Sequence, residues 1–228
     1  MRDPDLQPGT RRVEVPVLVD AAGKTWAPGV IDTTARHQGR VVLAESPPPG
    51  LPASLERALR STAAGLARPG RGPDAAGAAT VRFLVDLPGG EFRYVESVPG
   101  LPAEHALVEA TTGLDLAARQ VHLSRGGQLK GEPPEARGHA VQVCLSALDP
   151  EAGFAPSPGV VEVLRPAAGA GLRADPEVEE GAHAATALVR LTAHGGSRTE
   201  ALDRLQSGLA RTVVTVSGGA TDKAFLAE

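Results

Sequence analysis

The stretch Tyr94–His105, YVESVPGLPAEH, constrains the possible folds of this chain more than any other. It begins with the alternation typical of a β-strand, passes through the turn-forming sequence VPGLP, and reaches a Glu-His pair that opens a helix-like run, ALVEATTGLDLAARQVHLSRG. A strand that turns into a helix can hold carboxylates at the corner, where a phosphate-bound metal or a small anion would bind. Glu96 and Glu104 are therefore the first candidate site residues.

Two β-type runs, Ala79–Asp86 and Glu91–Ser97, are joined by LPGG, the strongest hairpin signal in the chain. If side chains alternate strictly along the second run, Phe92, Tyr94 and Glu96 share one face. The Glu96 carboxylate is then expected to meet a cation or to reach solvent.

The remaining patterns predict a mixed α+β fold. A helix should open at Pro52, with an apolar face of Leu55, Leu59, Ala63 and Leu66, and Ser197 with Glu200 forms a capping box for a second helix. Further strands are predicted at Arg12–Asp20, Thr25–Val30, Val41–Ala44, Gly138–Ala147, Val160–Arg165, Ala187–Ala193 and 213–216.

Proline and glycine mark the irregular parts of the chain. Because Pro16 cannot donate a ladder hydrogen bond, the first strand should lie at an edge or carry a bulge. Loops are expected at Asp32–Arg40, Arg68–Ala79 and Pro166–Ala185. The chain should divide near residues 130 to 137, into domains of residues 1–130 and 137–228.

Composition and charge exclude several classes of function. Aromatic residues make up only 3% of the chain, so the core should rest on Val, Leu and Ala. The net charge of -4 has no basic stripe for nucleic acid or membrane lipid. The single cysteine, Cys144, cannot form an internal disulfide, and no signal peptide or membrane span is evident, so a soluble cytoplasmic protein is expected.

His37 and Arg40 flank Gly39 in a polar segment that has two interpretations. The pair could bind an anion, or both side chains could simply be solvated. A helix start likewise favours Glu104 and His105 without any catalytic role, because acidic side chains stabilise the N-terminal end of a helix.

Six blocks, in order along residues 6 to 226, resemble the biotin carboxylase family. The central block, YVESVPGLPAEH, is similar to the family pattern F-L-E-V-N-P-R-L-Q-V-E-H, and a T-G-x-D-L helix follows in both. The other similar blocks are RRVEVPVLVD, RHQGRVVLAESPPPGLP, ATVRFLVD, RGHAVQVCLSALDPEAGFAPSPG and AHGGSRTEALDRLQSGL. The resemblance implies the lower half of an ATP-grasp domain, followed by a biotin carboxylase C-terminal domain.

The family reaction is the carboxylation of carrier-bound biotin, driven by ATP and bicarbonate with Mg²⁺. By resemblance, Glu96 is a metal ligand, Glu104 is the catalytic base, and His37, Leu84 and Arg40 contact the nucleotide. The resemblance also implies that the chain begins inside the ATP-grasp domain, without the preceding domain or the glycine-rich lid over the phosphates.

Several charged positions of the family differ in this chain. A second metal-binding carboxylate is replaced by Arg82 and an Asn by Val98, so Glu96 should form a salt bridge with Arg82 rather than bind a divalent ion. The Lys that holds bicarbonate falls at Gly39 or Arg40. The family's two Arg and one Gln near bicarbonate and biotin are replaced by Gly100, Cys144 and Pro102.

Three hypotheses follow from these differences. The chain could be a biotin-carboxylase-like protein that is inactive or impaired by itself. It could be a non-catalytic subunit that pairs with an intact carboxylase or a biotin carrier protein. It could also be a decaying gene fragment without a function.

Overall fold

A computed structural model describes residues 9–67 and 77–227 of the chain, which fold as two compact units. The first unit comprises the described residues up to Arg40 together with Ala44–Arg137, and the second comprises Val41–Leu43 together with the residues from Gly138 onward. Helices and largely antiparallel strands give the α+β class that the sequence predicts. In these described stretches, no helix is both long and apolar enough to cross a membrane.

The first unit carries most of the candidate site. Its strands are β1 (Thr10–Val19), β2 (Thr25–Trp26), β3 (Ile31–His37), β5 (Ala78–Asp86) and β6 (Glu91–Pro99), together with β4 (Arg40–Ser46) except for residues Val41–Leu43. Its helices are α1 (Ala53–Leu66), α2 (Ala106–Thr112) and α3 (Leu116–Ser124). The order β3-β1-β5-β6 places β1 inside the sheet, and β2 pairs with the end of β1.

β1 is not an edge strand, and it carries no bulge in its pairing with β5 from Thr10 to Leu18, so both forms of the prediction from Pro16 are wrong. Pro16 pairs with Thr80 of β5, on one side of β1. On the other side, the register with β3 ends at Glu14 and the register with β2 begins at Leu18. Pro16 therefore lies between the segments of β1 that pair with β3 and β2, where no ladder hydrogen bond needs its missing N–H.

The two faces of β1 have different roles. Val13, Val15, Val17 and Val19 are buried in one apolar cluster with Leu55, Leu59 and Ala63 of α1. This confirms the predicted apolar face of α1. Glu14 points to the opposite face, because side chains alternate along a strand.

Hydrogen bonds to the Asp20 carboxylate link the segment after β1 to Leu129, which is distant along the chain. Its Oδ1 accepts hydrogen bonds from the N–H groups of Ala22 and Lys24 at 3.0 and 2.8 Å, and its Oδ2 accepts one from Leu129 at 3.1 Å. Lys24 Nζ donates to the Gly131 carbonyl at 2.6 Å. Burial alone would raise the pKa of Asp20, but the backbone donors and the Lys24 charge hold this pKa below its ordinary value of 3.8.

The second unit is built around β7 (His139–Ser146). Its other strands are β8 (Leu148–Asp149), β9 (Ala155–Pro156), β10 (Gly159–Arg165), β11 (Leu172–Pro176), β12 (His183–Ala184), β13 (Ala187–Gly195) and β14 (Val213–Ser217), and its helices are α4 (Arg198–Arg211) and α5 (Lys223–Ala227). Ser197 Oγ accepts a hydrogen bond from the Glu200 N–H at 3.2 Å, which confirms the predicted N-cap of α4. Leu205 and Leu209 of α4 are buried against β7 and β13.

Several predicted loops and strands differ from the structure. Asp32–Arg40 is mostly strand, because β3 runs to His37 and β4 begins at Arg40. Pro166–Ala185 contains β11, which pairs with β13, as well as the short β12. The strand predicted at Thr25–Val30 is limited to Thr25 and Trp26. Most of the loop predicted at Arg68–Ala79 lies outside the described residues.

Replacing Asp20 tests the importance of its three backbone hydrogen bonds. Asp20→Asn should lower the free energy of unfolding by about 1–3 kcal/mol at neutral pH, since the amide keeps only one acceptor oxygen. The folded-state pKa of Asp20 is depressed, so its stabilising effect is present above pH 3.8 and is lost as the pH falls through the folded-state pKa. Urea unfolding at neutral and acidic pH measures both effects.

The control is Glu132→Gln, which removes an exposed carboxylate close to the same segment. This control should match the wild type. Equal stability of Asp20→Asn and the wild type at neutral pH would contradict the structural role of Asp20.

Candidate functional site

Three charged side chains form a row across β1, β5 and β6. Glu14 pairs in register with Arg82, and Arg82 pairs in register with Glu96, so all three side chains share one face of the sheet. Arg82 Nη1 donates to Glu96 Oε1 at 2.7 Å, and Arg82 Nε lies 3.2 Å from Glu14 Oε1. The salt bridge predicted between Arg82 and Glu96 is therefore confirmed.

A β-bulge in β6 directs Glu96 towards this row. Arg82 pairs with Glu96, but the next residue of β5, Phe83, pairs with Tyr94, so Val95 is the extra residue. Tyr94 packs against Phe83 on the opposite face, with ring centroids 6.4 Å apart. The prediction that Glu96 shares a face with Phe92 and Tyr94 is wrong, because strict alternation does not hold across a bulge.

Glu14 is the most deeply buried member of the row. Only 4% of the residue is exposed, and burial raises the pKa of its carboxyl group. The positive charge of Arg82 opposes this rise, the negative charge of Glu104 adds to it, and the charge of Arg36 opposes it again. Arg36 Nη2 lies 3.6 Å from Glu14 Oε1, so two guanidinium groups flank one buried carboxylate.

The turn between β3 and β4 positions Arg36. Gln38 and Gly39 have φ values of 50° and 79°, which is the two-residue hairpin geometry with positive φ at both positions. Arg36 Nη1 donates to the Gly39 carbonyl at 2.7 Å, and Arg36 Nε donates to the Thr33 carbonyl at 3.0 Å. These bonds hold the side chain against the turn, within reach of Glu14.

Glu104 lies in the turn before α2 and is partly buried. Its negative charge helps to raise the pKa of Glu14. The neighbouring His105 bonds back to the Pro102 carbonyl through its ring Nδ1 at 2.9 Å and through its backbone N–H at 3.1 Å. His105 therefore stabilises the turn that carries Glu104.

The three residues predicted to contact a nucleotide lie in two places. Leu84 is two residues beyond Arg82 on the same face of β5, is 5% exposed, and pairs in register with Arg12 and Arg93. His37 and Arg40 flank the β3–β4 turn. Nucleotide binding by these three residues stays a prediction, as does the catalytic role of Glu104.

The carboxylates of the row do not suit a bound Mg²⁺ as they are arranged. Among residues 9–67 and 77–227, no group of three or more His, Cys, Asp and Glu side chains could hold a metal ion. Two unit charges 4 Å apart in a site near the surface interact by about 4 kcal/mol, and a divalent ion beside a guanidinium doubles this repulsion. Solvent screens part of it, because the Arg82 and Glu96 side chains are 39% and 50% exposed. Metal binding by Glu96 stays a prediction, and the structure gives its carboxylate an arginine partner.

The backbone conformation of Gly100 also disfavours an Arg side chain at this position, where the biotin carboxylase resemblance implies one. Gly100 has a φ of 88°, a conformation that residues with a side chain rarely adopt. Its N–H donates to the Ala78 carbonyl at 2.9 Å, and its carbonyl accepts from Thr80 Oγ1 at 2.8 Å. Gly100 is thus held against β5 in a conformation that would strain a residue with a side chain.

Sequence comparison identifies the class of protein. Residues 7–132 match the family described as the carbamoyl-phosphate synthase L chain, ATP binding domain, which makes this chain an ATP-grasp protein. Residues 142–228 match the biotin carboxylase C-terminal domain. The chain belongs to the biotin carboxylase family, and the resemblance proposed from its sequence blocks is confirmed.

Individual relatives agree with this assignment. The biotin carboxylase of Haemophilus influenzae is 30% identical over 210 residues, which cover 90% of this chain and 46% of the relative. The alpha3 subunit of a biotin-dependent acyl-coenzyme A carboxylase from Mycobacterium leprae is 30% identical over 87% of this chain and 33% of its own length. The chain thus spans about half, or less, of the length of these relatives.

Solved structures of similar proteins share the fold. A variant of Rhizobium etli pyruvate carboxylase superposes with a TM-score of 0.87 at 28% identity, over 100% of this chain and 23% of its own. Kluyveromyces lactis urea carboxylase superposes with a TM-score of 0.86 at 27% identity, over 97% of this chain and 20% of its own.

Sequence reasoning missed the central roles of Glu14 and Arg36. One signal for Glu14 was available, since in RVEVPVLVD this carboxylate is followed by five apolar residues, which cover both faces of the strand. Such a charge is rarely buried without a partner. No sequence signal indicated Arg36, because its position depends on the β3–β4 turn.

Neutral substitutions separate the effects of Glu14 and Arg82. Arg82→Gln should lower the free energy of unfolding by about 1–3 kcal/mol, because Glu14 then stays buried with fewer positive charges nearby.

Glu14→Gln should be neutral or stabilising at pH 7, because the raised pKa shows that burial of the charged form is unfavourable.

The pH dependence follows from the same raised pKa. The folded state binds the Glu14 proton more tightly than the unfolded state does, so stability from this group is present below pH 4.5 and is lost as the pH rises through the folded-state pKa. From acidic to neutral pH, the melting temperature of Glu14→Gln should therefore rise relative to the melting temperature of the wild type. A constant difference across that range would refute the assignment.

Proposed function

We propose that this chain does not carboxylate biotin by itself, and that it is a non-catalytic member of the biotin carboxylase family that binds an intact carboxylase or its biotin carrier protein. The observation that carries the proposal is the ion pair between Arg82 and Glu96. It engages the carboxylate that the family resemblance assigns to metal binding, and it places a positive side chain where the family has a second carboxylate.

The chemistry of the family reaction explains why the ion pair between Arg82 and Glu96 argues against catalysis. ATP must activate bicarbonate, so two negatively charged reactants have to approach one another, and metal ions and fixed cations make this possible. In this chain Gly100 and Pro102 supply no charge in the turn that carries Glu104. The charges of Glu104 and Glu14 repel each other, so the two carboxylates together supply a negative field, whereas bicarbonate requires a positive one.

The intact fold supports binding rather than decay. Both units have a buried apolar cluster, and the chain superposes over its whole length on a carboxylase structure. The relative from Mycobacterium leprae is described as a subunit of an acyl-coenzyme A carboxylase. A subunit of a biotin-dependent carboxylase is therefore the class of partner that we propose.

Titration calorimetry with Mg-ATP, together with an ATP hydrolysis assay, tests the absence of catalysis. Wild-type protein should give no binding heat with millimolar nucleotide, and its biotin- and bicarbonate-dependent ATP hydrolysis should be at least about 10³-fold slower than that of an intact biotin carboxylase, because several charge donors are missing. An intact carboxylase in the same buffer is the control. Turnover at ordinary carboxylase rates would overturn the proposal.

Analytical ultracentrifugation tests the binding role. The chain, mixed with a purified biotin carboxylase and its biotinylated carrier from the same genome, should sediment as a complex with one of them. An unrelated ATP-grasp enzyme is the negative control and should sediment separately. A chain that ignores both carboxylase components would contradict the assembly function.

A further inference from the structure

We propose that Arg82 is a built-in replacement for a divalent cation, which holds Glu14 and Glu96 together and keeps metal ions out of this site. This inference rests on the proposed non-catalytic function and supplies its physical basis. It makes the first unit independent of metal ions and nucleotide for its stability.

The row requires a positive charge whenever the Glu14 carboxyl group is ionised. Glu14 is 4% exposed, so water can scarcely solvate its carboxylate, and the charges of Glu96 and Glu104 are also negative. A cation can come from solvent, in which case occupancy depends on its concentration, or from the chain itself. Arg82 belongs to the chain, so its charge is present under all conditions in which the protein folds.

Arg82 bridges the two carboxylates of the row. Two different nitrogen atoms of one planar group reach them, with Nη1 2.7 Å from Glu96 Oε1 and Nε 3.2 Å from Glu14 Oε1. A metal ion held by Glu14 and Glu96 would have to compete with this guanidinium for the same two carboxylates. The bulge at Val95 contributes directly, because it brings Glu96 to the face on which Arg82 lies.

Arg36 adds a second positive charge beside Glu14 but does not replace Arg82 as the link between the two carboxylates. Its guanidinium lies 3.6 Å from Glu14 Oε1 and is fixed to the carbonyls of Thr33 and Gly39. Without Arg82, this guanidinium would be the one remaining ion-pair partner of Glu14 among the described residues. The negative field around Glu14 and Glu96 would then favour a divalent ion.

Thermal unfolding with EDTA or with millimolar Mn²⁺, together with loss of the free Mn²⁺ signal in electron paramagnetic resonance, tests the inference. The wild type should bind no Mn²⁺, and its melting temperature should be the same in both buffers. Arg82→Glu should melt lower than the wild type in EDTA, bind Mn²⁺, and regain about 5 °C on its addition. Arg57→Glu, the same charge change at an exposed position of α1, should show no response to Mn²⁺.

Arg82→Gln keeps the test decisive if Arg82→Glu does not fold. It removes the guanidinium without adding a carboxylate, and it should gain a smaller stabilisation by Mn²⁺. The inference is overturned if the wild type binds Mn²⁺, or if every folded Arg82 variant is insensitive to Mn²⁺. Mn²⁺ binding by the wild type without turnover would overturn only this inference, whereas biotin-dependent ATP hydrolysis would overturn the proposed function.

Discussion

Burial of the Glu14 carboxylate is the constraint on which the whole site depends. An ionised carboxylate away from water is strongly unfavourable unless cations and hydrogen-bond donors surround it. Arg82 and Arg36 provide those cations from two different strands, β5 and β3. A one-residue slip of β5 would move Arg82 to the other face and leave Glu14 with Arg36 alone, so the register of the sheet and the charge of the site depend on each other.

Most of the regular structure was predictable from the sequence because it follows simple periodicity. The apolar face of α1, the hairpin of β5 and β6, and the Ser197 cap of α4 are local signals, and all three are confirmed. The predictions that failed depended on tertiary partners. β11 forms in a segment rich in Gly, Ala and Pro because it pairs with β13. Pro16 is tolerated inside the sheet because the pairing with β3 ends at Glu14 and the pairing with β2 begins at Leu18.

The site was less predictable than the fold, for physical reasons. Family resemblance identified Glu96 and its replaced partner position, and it led to the correct salt bridge with Arg82. It could not show the bulge at Val95, since an inserted residue leaves no periodic signal and reverses the face of every residue after it. Neither could it show that Glu14 is buried, because burial depends on elements that are distant along the chain.

The separation of the two faces of β1 explains how the fold can persist while the site changes. Val13, Val15, Val17 and Val19 pack with α1, and this apolar contact does not involve the face that bears Glu14. A new charge at position 82 therefore leaves the main cluster of the first unit intact, provided that it satisfies Glu14. A guanidinium does so, whereas a neutral side chain would not. The residues of the site can thus change without loss of the apolar cluster, and the presence of the carboxylase fold does not by itself establish carboxylase activity.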